Sequence, residues 1–115
     1  MHRLLLLSIT LLLAACSSSP QPTAQLALSE AAVAQAQAVG SHAEDESLAQ
    51  ALRKLELAHA ANASGDYYNA RLLSEQAELD ARLAEAQALI AKQQQINQRL
   101  QQRIDALEQA LEQRP

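Results

Sequence analysis

Three features of the 115-residue sequence predict an all-α fold: a short helix plus an antiparallel helical hairpin whose last helix is long and coiled-coil-like. The first is composition. The chain is 49% hydrophobic but has no Phe or Trp and only two Tyr, so Ala and Leu supply its apolar surface. Such residues build thin helix–helix seams, and Ala, Leu, Gln, Glu and Arg are all good helix formers. The second is the scarcity of chain breakers, two Gly and three Pro in all. The third is helical periodicity, clearest at Leu48, Ala51, Leu52, Leu55, Ala58 and Ala61.

The chain starts with the basic segment Met1-His2-Arg3, followed by an apolar run from Leu4 to Leu13 and then Leu13-Ala14-Ala15-Cys16. This is the layout of a secretory signal over residues 1–15. The apolar run makes about 15 Å of helix, roughly half of a bilayer core and too short for a permanent span. Leu-Ala-Ala-Cys also resembles the lipobox of bacterial lipoproteins, and the single Cys of the chain sits in it. The resemblance implies cleavage before Cys16, a diacylglyceryl group on its thiol, and an N-acyl chain such as palmitate on the freed amine. Several acyl chains, at about 0.8 kcal/mol per buried CH₂, anchor a protein stably in membrane lipid. Ser17 follows the Cys in place of Asp. By the same resemblance this favours the outer membrane, with the chain facing the periplasm. No other cofactor is expected.

Residues 16–23 read as the lipidated Cys and a flexible tether, small, polar and interrupted by Pro20 and Pro22. A first helix is expected over about 24–39, with Ser29 capping its firm part and Gly40 in the C′ position. Ser41-His42-Ala43-Glu44 has the form of a capping box, Ser41 capping a helical amide and Glu44 reaching back. That places a second helix at about 42–63. Gly65-Asp66 is the clearest break: Gly65 suits the left-handed conformation that ends a helix, and Asp66 suits the next N-cap. No Gly or Pro then occurs until Pro115, so one helix is expected from about 67 to 112, roughly 70 Å long. Folded antiparallel across the turn, Ala43 would lie opposite about residue 87, and the first helix would complete a small bundle. The hairpin domain is thus 24–90, and residues 91–115 extend beyond it.

The long helix keeps one heptad frame. Gln76, Leu83, Ile90, Asn97, Ile104 and Leu111 share position a; Leu72, Leu79, Ala86, Gln93, Leu100 and Leu107 share position d. β-branched a with Leu d favours two strands, and a buried Asn fixes register. Arg103 at g and Glu108 at the following e can bridge two parallel chains. Ile90, Asn97, Leu100, Ile104, Leu107 and Leu111 are therefore the expected oligomer seam, for a homodimer or a helical protein partner.

The segment Gly65-Asp66-Tyr67-Tyr68-Asn69-Ala70, preceded by Ala51-Leu52-Arg53-Lys54-Leu55 and Ala58 and followed by residues 75–84 (EQAELDARLA), carries a family resemblance. Over about residues 26–90 the chain resembles the bacterial lipoprotein family known as domain of unknown function 4398. The resemblance implies a signal, a short Ala-rich helix, a helix pair across a Gly-Asp-Tyr turn and a periplasmic location. The stretch 41–47 (SHAEDES) departs from the Pro-containing lead-in of that pattern. Some members add an OmpA-type peptidoglycan-binding domain; no such segment follows here, and that activity is not carried over. The turn is also similar to that of tetratricopeptide repeats, but no second copy is present.

Removing residues 1–15 takes away Arg3 and leaves eight basic against 13 acidic residues. With no basic stripe and few aromatics, nucleic-acid binding is not expected. His42 and Glu46 share a helix face, but a metal site needs three or four ligands. His59 reads as a boundary residue, Ser29, Ser41, Ser47 and Ser64 as caps or helix surface, and Tyr67 and Tyr68 as packing over the turn. Tyr68 is also a candidate partner contact. No nucleophile–base pair can be assembled by spacing, so no catalytic residue and no small-molecule substrate is expected. The expected role is structural or adaptor, through helix–helix contacts. The alternatives are a module binding a periplasmic peptide or assembly factor, and non-covalent association with peptidoglycan. The terminal Gln113-Arg114-Pro115 lacks the Lys of covalently wall-linked lipoproteins.

Overall fold

The computed structural model describes residues 19–42 and 44–115. The signal segment, Cys16 and Ala43 lie outside the described residues. Three helices follow in order: α1 (Thr23–Ala38), α2 (Glu46–Ala63) and α3 (Tyr67–Glu112). The described residues contain no strand. The fold is all-α, a short helix joined to a hairpin with a long last arm, as the composition predicts.

Each helix ends where local chemistry stops it. Gly40 has φ +108° and Gly65 has φ +82°, left-handed values that favour glycine. Behind Gly40, the Ser41 amide donates to the Ala36 carbonyl and the Gly40 amide to Gln37. Behind Gly65, the Asp66 amide donates to Ala61 and the Gly65 amide to Asn62. Both sets form the Schellman pattern, which satisfies carbonyls the helix end leaves free. Asp66 then caps α3: its carboxylate accepts from the Asn69 amide at 3.2 Å and from the Asn69 side chain at 2.7 Å.

The start of α2 departs from expectation. The capping box of Ser41 and Glu44 does not form, and the helix begins at Glu46 behind Asp45. The Asp45 carboxylate accepts from the His42 amide at 2.7 Å. Ser41 is buried, and its hydroxyl donates across the bundle to the Ala84 carbonyl at 2.9 Å. A tertiary acceptor takes the hydroxyl that a cap would have used. Ser29 is not a cap either. Because α1 starts directly after Pro22, Ser29 falls inside the helix, fully buried, donating to the Leu26 carbonyl at 2.8 Å.

The core is thin. One cluster joins Ala32, Val33 and Ala36 of α1, Leu48 and Ala51 of α2, and Ala81 and Ala84 of α3, with Leu52 and Leu55 against it. Among the described residues, eight of the eleven in the buried apolar core are alanine, so each contributes little more than one methyl, about 0.8 kcal/mol. Leu48 is the largest side chain fully withdrawn from water. Along α3 the packed face is Ala70, Ser74, Ala77, Ala81 and Ala84. Ser74 fits this small-residue row by donating its hydroxyl to the Ala70 carbonyl at 2.7 Å.

Polar clamps set the register around this core. Lys54 pairs with Asp80 at 2.6 Å and Ser47 with Gln87 at 3.0 Å, joining α2 antiparallel to α3. Gln25 reaches Glu78 at 2.8 Å and Gln35 reaches Glu85 at 3.2 Å, so α1 runs parallel to α3. His59 meets Glu30 at 3.0 Å and ties α2 to α1. The bundle is therefore up-down-up. Pro20, Pro22 and Thr23 lie beside Arg71 at the turn end, and α3 leaves the bundle at the other end.

Candidate interaction surface

The α3 helix carries two faces of different chemistry. The packed face holds small side chains at 70, 74, 77, 81 and 84. At 3.6 residues per turn, the row through Leu72, Leu79, Leu83, Ala86 and Ile90 lies roughly half a turn away. Those Leu and Ile side chains are exposed, from 40% for Leu72 to 67% for Leu79. The bundle thus closes on the alanine face and leaves the larger residues in water. Small residues let helices approach closely, and the polar clamps flank that same face.

Past Ala88 no residue of α3 is buried, and residues 89–112 make about 36 Å of unsupported helix. The structure places Ile90, Asn97, Leu100, Ile104, Leu107 and Leu111 here, all exposed. They share one side of the helix in the heptad frame and continue the row that starts at Leu72. The two amide positions bond along their own helix, Gln93 donating to Asn97 at 3.2 Å. Gln101 does the same to Asp105 at 2.8 Å. Exposed apolar residues recurring along one helix face, here interrupted by Gln93 and Asn97, mark candidate interaction sites.

A second feature lies where α3 leaves the bundle. An open notch of about 820 Å³ is lined by Gly40, His42 and Asp45 on one side and Ala88, Lys92 and Gln95 on the other. Its lining is mostly polar. His42 and Glu46 both border it, and the described residues contain no group of three or more metal-ligating side chains. Tyr67 is half-buried, but Tyr68 is 67% exposed and does not pack over the turn. No described helix is long and apolar enough to cross a membrane.

Glu78 has a displaced titration. Hydrogen bonds from Arg82 and then Gln25 hold its carboxyl below the usual carboxylate range, with burial working against them. Arg82 approaches to 2.7 Å. The group therefore carries its charge where α1 meets α3.

Residues 24–100 match the family described as Domain of unknown function (DUF4398). The chain belongs to that family. A solved structure of a DUF4398 family protein from Pseudomonas aeruginosa PAO1 is similar, at 40% identity and a TM-score of 0.79. The match covers 80% of this chain and 96% of that one. No curated protein matches. The DUF4398 membership read at the Gly-Asp-Tyr turn is thus borne out. The DUF4398 match also runs ten residues past position 90, into the overhang. The heptad frame includes Leu72, Leu79 and Leu83, but the expected seam begins at Ile90. The signal that would have extended it is the competing row of Ala and Ser at 70, 74, 77, 81 and 84, which is the better partner for an alanine-rich hairpin.

Proposed function

We propose that this DUF4398 chain is an envelope-anchored lipoprotein with a non-enzymatic structural or adaptor role, exerted through helix–helix contacts in the periplasm. The observation that carries the reading is the exposed Leu and Ile row of α3, which faces away from the chain's own bundle. The anchor is Cys16, acylated within Leu13-Ala14-Ala15-Cys16, in the outer membrane. The tether reaches the bundle beside Arg71, at the turn end of α3. From there to Glu112 is about 60 Å of helix, so the overhang would project away from the lipid. Such a rod presents contacts at a distance from the membrane that a compact domain of this size does not reach.

The anchor and the contacts are tested separately. Feeding cells an alkyne analogue of palmitate should label the wild type in the membrane fraction, and Cys16→Ala should abolish both label and membrane retention. Replacing Leu100 and Ile104 together by Asp should remove partners captured by cross-linking in the envelope. Unchanged capture by that variant would sink the adaptor reading.

The polar notch supports a second reading, a binding module for a periplasmic peptide or assembly factor. Deleting the overhang does not discriminate, because Gln94, Gln95 and Gln98 form one wall of the notch. Lys92→Glu does: it alters the notch and leaves the apolar row intact.

A further inference from the structure

The exposed row is not confined to the overhang. Leu72, Leu79 and Leu83 lie beside the bundle, yet α1 and α2 occupy the other face of α3 and leave them in water. One heptad frame therefore runs open from Leu72 to Leu111, about 60 Å of helix against about 36 Å in the overhang alone. We propose that its occupant is a second copy of this chain, parallel and in register along the whole of Leu72–Leu111. This names the partner for the helix-contact reading above and rests on it.

The polar layers are the first argument for this occupant. Gln76, Gln93 and Asn97 interrupt the a and d positions. In-register parallel pairing sets each amide against its own copy, and each Leu or Ile against its own. A slip of one heptad sets Asn97 against the partner's Ile90 or the partner's Ile104, leaving an amide without a partner in an apolar layer.

Flanking charge is the second argument. An antiparallel pairing that sets Gln93 against the partner's Asn97 also matches amides. It then sets Arg103 against the partner's Leu89, so Arg103 and Glu108 no longer meet across the pair. Parallel pairing instead gives Arg103 with the partner's Glu108, twice per dimer. The same symmetry sets Glu75 against the partner's Asp80 twice, a like-charge flank already countered within each chain. Arg71 holds Glu75 at 3.0 Å and Lys54 holds Asp80 at 2.6 Å. Ile90 and Ile104 at a, with Leu100 and Leu107 at d, favour two strands over three. Because each bundle lies behind its own α3, both hairpins stay on the outside of such a dimer.

The test uses the chain from Ser17, which keeps all three helices and has no cysteine. Sedimentation equilibrium should give the mass of two chains. Arg103→Glu should weaken association tenfold or more, and adding Glu108→Arg should restore it. Gln93→Cys should oxidise to a covalent dimer. Ile96→Cys should not, since that residue meets its own copy only in the antiparallel pairing. A single-chain or three-chain mass, no rescue by the charge swap, or cross-linking at Ile96→Cys but not Gln93→Cys overturns the proposal. A photoactivatable residue in place of Leu100 in cells separates the two levels of failure. Adducts of two-chain mass support the second copy. Adducts of other masses alone overturn it and keep the helix-contact reading, whereas no adduct overturns both.

Discussion

From Tyr67 to about Ala88, α3 buries five small residues against two other helices; from Leu89 to Glu112 the same helix buries nothing. The first half is held by tertiary packing, by the Lys54–Asp80 ion pair and by hydrogen bonds that cross between helices, such as Gln25 with Glu78. The second is held by intrinsic propensity and by bonds one turn apart, such as Gln93 with Asn97 and Gln101 with Asp105. Most helical stability in proteins comes from packing an amphipathic face, and this half packs none. The contrast teaches that tertiary packing supports only the first half, while the overhang rests on short-range terms alone.

The comparison is broken most severely at Leu48. Leu48→Ala empties the largest fully buried position and should destabilise by roughly 2–5 kcal/mol in thermal or urea unfolding. Leu107→Ala in the overhang should change the unfolding of the dilute, unassociated chain by less than about 0.5 kcal/mol. Equal effects of the two would show that the halves unfold as one unit. Ala81→Leu tests the close approach of the helices. It inserts bulk into a fully buried position, and overpacking should lower stability by roughly 1–3 kcal/mol.

Gly65→Ala probes the turn that lays α2 against α3. A methyl there meets nothing within 4 Å, so the loss of about 1–2 kcal/mol in unfolding would come from the backbone alone. Amide exchange should quicken in the bundle and stay unchanged beyond Ala91. The smallest effect is expected at Glu78. Its folded pKa is lowered, so its contribution is present above the ordinary glutamate range and is lost as pH falls through the lowered value. Melting temperatures of wild type and Glu78→Gln should differ most near neutral pH and converge under acid conditions. A gap that stays constant would assign the difference to packing.

The helix ends were legible because their causes are local. Gly40, Gly65 and Asp66 act through backbone conformation and bonds that span at most six residues, and the observed ends agree with the expected ones to within a residue or so at these places. Ser41 was not legible. A Ser followed three residues later by Glu has the form of a capping box, but the hydroxyl goes to Ala84, 43 positions away. The open row on α3 was half legible. Its heptad frame was written in the chain, but nothing local says which of two apolar rows will face inward.

Helix formation, the helix stops and the unbroken run of α3 to Glu112 all follow from local residue chemistry. Those properties depend on propensity, caps and the absence of Gly and Pro, all short-range terms. Only the tertiary structure decided that the alanine row packs and the leucine row stays in water. That choice depends on how closely three helices fit together, and a close fit favours the smaller side chains, with Lys54–Asp80 and Gln25–Glu78 closing over them.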